Sequence, residues 1–533
     1  MQEIKRNNFI VTAFILSLIM ILSVSIFSAI TFYSSVQILI FTVILINAIF
    51  VINNYKFKLN GLYVFSLLFL IIVSISSCFN CDFQTNSRDN LFILLSSVLA
   101  GFSFIFINND IKKKVLFVPV FIALFLSMIL FSKFITDPQS FFQNTNLLET
   151  IGINKSFVSG FLVLIYPLLY IYLKEKKNSK LVVFMTTVIF LSVLLTKSKL
   201  EILIASISTF ILLYEYRKQK NIKTVLICLG IVVVAYMCYL FGLKTDSYSM
   251  SERMAYWKTS FSIFKDNIFL GCGFGNFPVL FNTYRPEYIQ YSVNANGFVF
   301  QLLAELGILG FFGFVCLILS FYIRVIDAVI DNKNLYFYMV VTISITSFLL
   351  ANIVDCSAVS PTNMIVFFII LSSVFEPEVQ KLKKGRINTY VLILLFVGLL
   401  FFIVRPVIAK TYYNKGIDLY IAKQYKMAME EFEKSMKLDK KNPKYYEQAA
   451  KTQFALYDQY RSEIGQIYID KAIEYNKRAI ELCKYNSSFR MELASYYWNN
   501  DKKEEAIDVM QEALKYDKFN QEYKEYLFEL KNS

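Results

Sequence analysis

The chain has 533 residues, of which 56% are hydrophobic and 18% are charged, with 53 Phe and 35 Tyr. Soluble domains usually carry about a quarter charged residues, and the deficit here lies almost wholly in the first 405 residues. That part is therefore predicted to be a membrane domain. The net charge of +14 does not indicate nucleic-acid binding, because most basic residues of that part lie in short clusters between apolar segments, as membrane topology requires.

An apolar segment of roughly 20 residues can cross a bilayer as a helix. This criterion predicts about thirteen spans, at 9–30, 35–52, 62–79, 90–107, 114–135, 156–174, 180–196, 199–215, 223–242, 297–323, 335–355, 361–376 and 388–405. The first is too long for the core of a signal peptide, so we expect a retained helix. The spans that meet between Thr196 and Ser198 are so close that one broken re-entrant unit is an alternative interpretation.

Basic residues alternate along the connections between these spans. The connections rich in Lys and Arg contain Lys5/Arg6, Lys56/Lys58, Lys112–Lys114, Lys174–Lys177, Arg217–Lys220, Arg324 and Lys381–Arg386. Cytoplasmic loops carry this excess, so the N-terminus is expected in the cytoplasm. Thirteen crossings then place the loop 243–296 and the C-terminus on the outer side.

After Arg405 the composition changes to Lys, Glu, Tyr and Ala with helical periodicity. Small or apolar residues recur in three copies. The first copy has Gly416, Ala428, Phe432 and Ser435. The second begins 34 residues later with Ala450 and continues with Ala472 and Ala479, and the third has Ala494, Ala506, Met510 and Ala513. About ten extra residues are expected to separate the two helices of the middle copy. The spacing resembles the tetratricopeptide repeat.

The predicted fold is therefore all-α: a polytopic bundle of about 12–13 transmembrane helices at 1–405, then an α-solenoid of about three repeats at 406–533. Eight cysteines are present, of which only Cys78 and Cys81 are close together, and histidine is absent. This set does not indicate a zinc site, and the thiols are expected to be buried.

The loop 243–296 and the span after it carry the most informative residues. Gly271, Gly273 and Gly275 form a Gly-x-Gly-x-Gly turn, which alone indicates only a tight turn. Arg253 lies one helical turn before Trp257; the pair is typical of an anchor at the membrane surface, or of a guanidinium that binds a lipid-linked phosphate. Glu305 lies two turns inside the next span, where a carboxylate usually has a pairing or functional role.

A second charged site lies at the outer end of the span 199–215. It consists of Lys199 and Glu201, and a solvated surface pair is the alternative to a functional role.

The stretch from Arg253 to Gly310 resembles the O-antigen ligase and polymerase superfamily of membrane glycosyltransferases. The resemblance is carried by Arg253 and Trp257, by LGCGFGNF (Leu270 to Phe277) and by LLAELGILG (Leu302 to Gly310). Two further segments are similar to family segments: GINKSFVSGFLVLIYPL (Gly152 to Leu168) and LLTKSKLEIL (Leu194 to Leu203). An extracytoplasmic tetratricopeptide tail also occurs in this family.

The sequence departs from the family pattern at two positions. The family's Ser-Arg pair is Ser198-Lys199 here, which keeps the charge but loses the bidentate fork. Asn296 stands at the position aligned with a histidine that many ligases carry, and an amide cannot take up a proton. A mechanism that uses this histidine as the general base is therefore excluded.

The resemblance implies transfer of a glycan from a polyprenyl diphosphate to a hydroxyl on a glycan, lipid or protein, at the outer face of a bacterial cytoplasmic (inner) membrane. It implies catalytic roles for Arg253, Lys199 and Glu305, and substrate-binding roles for Arg285, Asn296, Trp257, Gly271, Gly273, Gly275, Asn276, Asn154 and Lys155. No cofactor and no metal are expected. Candidate bases are Glu252, Glu287 and Glu305, and polymerase and ligase both remain open.

Two other functions fit parts of the sequence. A transporter of lipid-linked sugars would be expected to show inverted repeats and broken helices with midplane charges, but the two halves of the sequence are not similar. A non-catalytic scaffold would present the repeat domain to an extended peptide, since the concave face of a solenoid suits such partners. We also expect a protein partner, or the acceptor, to contact this domain in a catalytic protein.

Overall fold

The computed structural model describes residues 55–58, 60–81, 84–107, 109–139, 154–174, 179–214, 248–332, 334–381, 389–461 and 463–532. The predicted spans at 9–30, 35–52 and 223–242 lie outside these residues. The described chain is almost entirely helical, as predicted; the exception is a two-stranded antiparallel sheet of β1 (Tyr55–Lys58) and β2 (Glu378–Lys381), with Tyr55 opposite Lys381.

The membrane part contains helices α1 (Gly61–Asn80), α2 (Gln84–Ile105), α3 (Asn109–Leu116), α4 (Val118–Thr136), α5 (Lys155–Ile165), α6 (Leu169–Lys174), α7 (Ser179–Leu195), α8 (Lys199–Tyr214), α9 (Tyr248–Asp266), α10 (Phe277–Tyr284), α11 (Phe298–Ile330), α12 (Leu335–Ala351) and α13 (Pro361–Ser372). Two short 3-10 helices, Tyr166–Leu168 and Ser357–Val359, lie between them.

Several of these helices are long and apolar enough to cross a membrane. Four helical segments meet both criteria, namely Gly61–Asn80, Ile111–Thr136, Lys155–Tyr172 and Phe298–Ile330; shorter apolar helices are Asn90–Ile105, Leu181–Leu195, Leu335–Ala351 and Pro361–Ser372. Each lies on a predicted span, so the prediction of a multi-pass membrane protein is confirmed.

The central helix of the bundle is α5. In the span Lys155–Tyr172, 78% of the residues are buried inside the protein, against 44–50% in the other three long spans. It contacts α4, α7, α8, α12 and α13. Pro167 lacks an amide hydrogen and interrupts the α-helical bonding, so the predicted span 156–174 changes to a 3-10 turn before it continues as α6.

Basic residues gather at one end of the bundle. The β1–β2 pairing joins the segment of Lys56 and Lys58 to Lys381. Lys112 Nζ donates to the carbonyl of Phe375 at 2.9 Å, and Arg324 Nε donates to the carbonyl of Val374 at 3.2 Å. Four predicted basic connections therefore share one end, as charge alternation requires.

The C-terminal part contains α14 (Thr389–Ile421), α15 (Tyr425–Leu438), α16 (Pro443–Gln459), α17 (Glu463–Leu482), α18 (Ser487–Asn499), α19 (Lys503–Tyr516) and α20 (Gln521–Asn532). Successive pairs pack as helical hairpins. The position proposed as the domain boundary, between Arg405 and Pro406, lies inside the continuous α14. The change in composition therefore does not coincide with a break in the chain.

Small residues hold the hairpins together. A Cβ on Gly416 would lie 2.6 Å from the ring of Phe432, and Ala450, Ala472, Ala479 and Ala506 are fully buried. The predicted separation within the middle copy was wrong in form: α16 and α17 have 17 and 20 residues, against 13 and 14 in the next pair. Most of the extra residues lengthen the two helices.

Candidate functional site

The end of the bundle opposite the basic connections contains a break in α11. Gly307 has φ 65° and ψ −167°, so the helix stops its regular bonding there and resumes after it. A continuous span was predicted over 297–323, and the structure corrects this. An interruption leaves backbone amides and carbonyls without intrahelical partners, and burial requires that other groups bond to them.

The segment 268–273 supplies these partners. The amides of Cys272 and Gly273 donate to the carbonyls of Ala304 and Glu305 at 2.9 and 3.0 Å. In return, the amide of Ile308 donates to Ile268 at 2.8 Å, and that of Leu309 donates to Phe269 at 3.3 Å. The glycine turn and the helix break therefore satisfy each other's backbone hydrogen-bond donors and acceptors.

Close approach explains the glycines of the turn. Gly271, Gly273 and Gly275 all have positive φ, at 69°, 99° and 83°. A Cβ on Gly271 would lie 2.2 Å from the carbonyl carbon of Glu305, and one on Gly307 would lie 2.4 Å from the carbonyl oxygen of Phe269. Only glycine fits such backbone contacts without displacement.

The turn also packs against the first two helices of the bundle. A Cβ on Gly273 would lie 2.6 Å from Cβ of Cys81, at the end of α1, and one on Gly275 would lie 2.1 Å from Nδ2 of Asn90 in α2. Asn276 is fully buried, and its Nδ2 donates to the carbonyl of Cys272 at 3.0 Å. The substrate-binding role predicted for Asn276 is not tested by this geometry.

The carboxylate of Glu305 lies inside this arrangement and is 1% exposed. Its Oε1 accepts from Gln301 Nε2 at 2.7 Å and from the amide of Phe277 at 3.1 Å, at the first residue of α10. Gln301 Oε1 in turn accepts from the amide of Ala295 at 2.7 Å. Glu305 thus connects α11, the glycine turn and the preceding loop.

Trp257 and Asn296, two of the residues predicted to bind substrate, are in contact. Trp257 Nε1 donates to the carbonyl of Asn296 at 2.9 Å, and its ring stacks on Phe300 with centroids 5.0 Å apart. Asn296 has φ 49°, a left-handed conformation that asparagine tolerates better than most residues. Gly297 follows, and a Cβ there would lie 2.7 Å from Trp257 Nε1.

The loop between α12 and α13 belongs to the same end of the bundle, although none of its residues was predicted to be part of the site. The carbonyls of Asn352 and Asp355 both accept from the amide of Phe298, at 2.9 and 3.1 Å. Asn352 Oδ1 also accepts from the amide of Ala358 at 2.7 Å. The available signal was a polar run, NIVDCSAVSPTN from Asn352, between two apolar segments; the predicted span 335–355 included its start.

Glu201 is buried rather than part of a solvated surface pair. It is 2% exposed, its Oε1 accepts from Ser159 Oγ at 3.3 Å, and its Oε2 accepts from Ser198 Oγ. The carboxylate of Asp355 is near enough to repel that of Glu201. A Cβ on Gly160, next to Ser159, would lie 2.1 Å from Ser357 Oγ, which places the α12–α13 loop against the start of α5.

Cations surround this end of the bundle. Lys155 begins α5 behind Asn154, whose Oδ1 accepts from the amide of Ser156 at 2.9 Å and caps the helix. Burial lowers the pKa of Lys197, and the charge of Lys155 lowers it further. Lys199 begins α8 two residues later and is partly buried.

Arg253 is partly exposed and one turn before Trp257 on α9. Within the residues that the structure describes, its guanidinium has neither an ion-pair partner nor a protein hydrogen bond. The helical spacing puts it on the same face as Trp257, and Trp257 contacts Asn296.

Arg285 has a different environment from the one expected for a phosphate ligand. Its Nη2 donates to Asp517 Oδ1 of the repeat domain at 2.5 Å, and its Nη1 donates to the carbonyl of Ile289 at 3.1 Å. The side chains of Arg285 and Asp517 are 6% and 4% exposed. Of the other predicted bases, Glu252 is partly exposed and Glu287 is exposed.

An apolar cavity lies beneath the glycine turn. It is narrow, with about 30 Å³ of room for the centre of a water-sized sphere, and its lining includes Phe274, Phe298, Leu302, Leu306, Phe348 and Asn352. These residues come from the turn, from α11 and from the end of α12. Within this lining Asn352 is the polar residue, so the space suits an apolar ligand.

Solved structures similar to this chain contain helical repeats. The first tetratricopeptide domain of Spaghetti, bound to an HSP90 peptide, is 19% identical and covers 24% of this chain and 91% of its own, with a TM-score of 0.21. The tetratricopeptide domain of Arabidopsis OM64 is 19% identical, with coverage of 24% and 98% and a TM-score of 0.21. The APC/C hetero-tetramer Cut9–Hcn1 is 11% identical, with coverage of 83% and 76% and a TM-score of 0.19.

The family model described as O-antigen ligase matches residues 155–315. No curated protein matches the chain. The matched region runs from the start of α5 to the middle of α11, and it includes Lys199, Arg253, the glycine turn and Glu305. Residues 155–315 therefore match the O-antigen ligase family model, within a multi-pass membrane protein whose C-terminal part is a tetratricopeptide-like helical repeat.

Proposed function

We propose that this protein transfers a glycan from a polyprenyl diphosphate to a hydroxyl acceptor at the outer face of the cytoplasmic membrane. The observation that carries the proposal is that cations of the region matching the O-antigen ligase family lie at the same end of the bundle as an apolar cavity. A polyprenyl diphosphate has both requirements: an apolar chain that leaves water and a diphosphate that needs cations. The end with the glycine turn is assigned to the outer face because the basic connections lie at the other end.

Arg253 is proposed to bind the diphosphate. No other described group occupies the donors of its guanidinium, and its planar fork matches phosphate oxygens. Lys199, with Lys155 and Lys197 nearby, adds positive charge that favours the departing diphosphate. Most of the rate enhancement would then come from placement and charge neutralisation, because a diphosphate is already a good leaving group.

The transfer step breaks the bond between the anomeric carbon and the diphosphate oxygen and forms a bond from that carbon to the acceptor oxygen. The acceptor hydroxyl loses a proton in this step, and Asn296 cannot take it. The carboxylates of Glu201 and Asp355 lie at the same end of the bundle, and we propose that this pair accepts the proton. Glu305 is proposed to position the glycine turn, since protein donors already occupy its Oε1.

Replacement of Arg253 by Ala in the native cell tests the proposal. We expect short lipid-linked units to accumulate and long-chain or conjugated surface glycan to fall by at least about tenfold, the effect of losing one charge-assisted contact. Lys258→Ala is the matched control, because Lys258 is an exposed cation on the same helix. Membrane levels of both variants are measured by immunoblot.

The product distinguishes the two forms of the reaction. In Arg253→Ala, accumulation of products one repeat unit long would indicate that the wild type is a polymerase. Accumulation of full-length but unattached chains would indicate a ligase. An unchanged glycan profile in Arg253→Ala, at normal membrane level, would contradict the transferase proposal.

A further inference from the structure

The repeat domain contacts the outer end of the bundle through two ion pairs. Arg88 Nη2, near the start of α2, lies 3.0 Å from Asp439 Oδ2, and Arg285 Nη2 lies 2.5 Å from Asp517 Oδ1. The second pair is the more deeply buried, with both side chains at most 6% exposed. Removal of one partner of such a pair leaves an uncompensated charge in a dry environment, so the contact resists separation.

Apolar and aromatic groups surround the Arg285–Asp517 pair. The guanidinium lies 5.5 Å from the ring centroid of Tyr288 and 5.6 Å from that of Phe519. Val279, on α10, packs against a buried cluster of the repeat domain that contains Ala479 and Phe489. The domain is therefore seated on α10 as well as continuous, through α14, with the predicted span 388–405.

Both ends of α10 are fixed by different parts of the protein. At its first residue, the amide of Phe277 donates to Glu305, next to the break in α11. At its last turn, Arg285 is the C-terminal cap, and its side chain bonds to Asp517. The eight-residue helix thus forms a short rigid connection between the repeat domain and the glycine turn.

We propose that the repeat domain, through Asp517 and α10, holds the glycine turn in the geometry that transfer requires. Arg285 and Asp517 are then positioning residues of the transferase, and the repeat domain is part of the catalytic unit rather than a freely tethered recruitment module. This inference rests on the proposed function, because it concerns the same site. It also differs from the sequence-based expectation that Arg285 binds substrate.

The test uses the full-length protein carrying Asp517→Asn, with Asp508→Asn as the matched control. Asp508 is an exposed carboxylate of α19, the helix that Asp517 caps. Amide hydrogen exchange of residues 277–284 is measured in detergent, and surface glycan is profiled in the native cell. We expect Asp517→Asn to raise the exchange rate by about tenfold, through easier local opening, and to lower transfer; Asp508→Asn and Asp517→Glu should resemble the wild type.

Each outcome has a distinct meaning. Unchanged exchange in Asp517→Asn would overturn the inference, and so would faster exchange with normal transfer. If the exchange of α19 itself shows that Asp517→Asn does not fold, Arg285→Lys, which keeps the charge but loses the fork, replaces it with the same expectations. If the wild-type protein transfers no glycan and Asp517→Asn still exchanges faster, the coupling between the repeat domain and α10 is supported. Only the proposed function is then contradicted.

Discussion

At the scale of single residues, the site depends on backbone that only glycine can supply. Gly271 and Gly307 belong to segments far apart in sequence, yet each would place a Cβ within 2.4 Å of the other segment's backbone. The sequence indicated a turn at Gly271, but it could not indicate the break at Gly307. Glycine is tolerated inside apolar helices, and its φ here is set by hydrogen bonds to a loop some 35 residues earlier in the chain.

Gly271→Ala is expected to destabilise the protein by about 2 kcal/mol or more, because the new methyl group meets backbone at positive φ. Gly61→Ala is the matched control, since a Cβ there would meet nothing within 4 Å. Thermal unfolding of the purified proteins in detergent measures both. Equal melting temperatures for the two variants would contradict the close packing of the turn on α11.

Asn296 shows how a departure from a family pattern can be understood from geometry. The residue adopts a left-handed φ and gives its carbonyl to Trp257, a backbone role that asparagine fills well. Its backbone contribution to the site thus does not depend on a titratable side chain. The proposed proton acceptors are therefore carboxylates. Asp355 could be included only from the structure, because its charge acts on Glu201 from a loop that is distant along the chain.

At the scale of elements, the repeat helices carry a polar cluster on one face. The Nζ atom of Lys451, on α16, lies 2.6 Å from Oε1 of Glu447 on the same helix and 3.0 Å from Oε1 of Glu492 on α18. Burial raises the pKa of the Glu492 carboxyl to about 7; Lys451 opposes this shift and Glu447 adds to it. The two helices are therefore joined by a group that titrates near neutral pH.

This pKa predicts a pH dependence of the repeat domain. A carboxyl whose folded pKa lies above its unfolded value favours folding when protonated, so its contribution is full below about pH 4.5 and is lost as the pH rises through 7. Glu492→Gln removes the charge at every pH. We expect the variant to melt about 4 °C or more above the wild type at pH 8, and with little difference at pH 5.

Circular dichroism of the full-length proteins follows this melting at 222 nm. Glu481→Gln is the control, because Glu481 is exposed and its partner Arg478 is on the surface. If Glu492→Gln and the wild type differ in melting temperature by the same amount at both pH values, the assignment of a raised pKa to Glu492 is contradicted.

At the scale of the whole molecule, hydrophobic periodicity and the placement of basic residues predicted the fold more fully than they predicted the site. Apolar length located each described span, and alternation of basic residues predicted which connections share an end, because both follow from the bilayer itself. The repeat pattern followed from small residues at packed positions such as Ala428 and Ala506. Helix ends were less predictable: α12 ends at Ala351, and the polar residues after it fold back into the site.

The place of Arg285 is a whole-molecule property for the same reason. An arginine in an outer loop beside a glycine turn fits a phosphate ligand by sequence, but Asp517 lies 232 residues away along the chain. Such a contact depends on how the repeat domain seats on the bundle. In the described structure Arg285 is therefore paired with the repeat domain. The other predicted cations, including Arg253, remain proposed phosphate ligands.

The most direct test of the account is transfer by the purified full-length protein in liposomes that contain the native cell's polyprenyl-diphosphate-linked glycan and its acceptor. We predict release of one polyprenyl diphosphate for each new glycosidic bond, and loss of both products in Arg253→Ala but not in Lys258→Ala. Movement of intact lipid-linked glycan between leaflets without bond formation, or no reaction by a folded protein supplied with both substrates, would contradict the central claim.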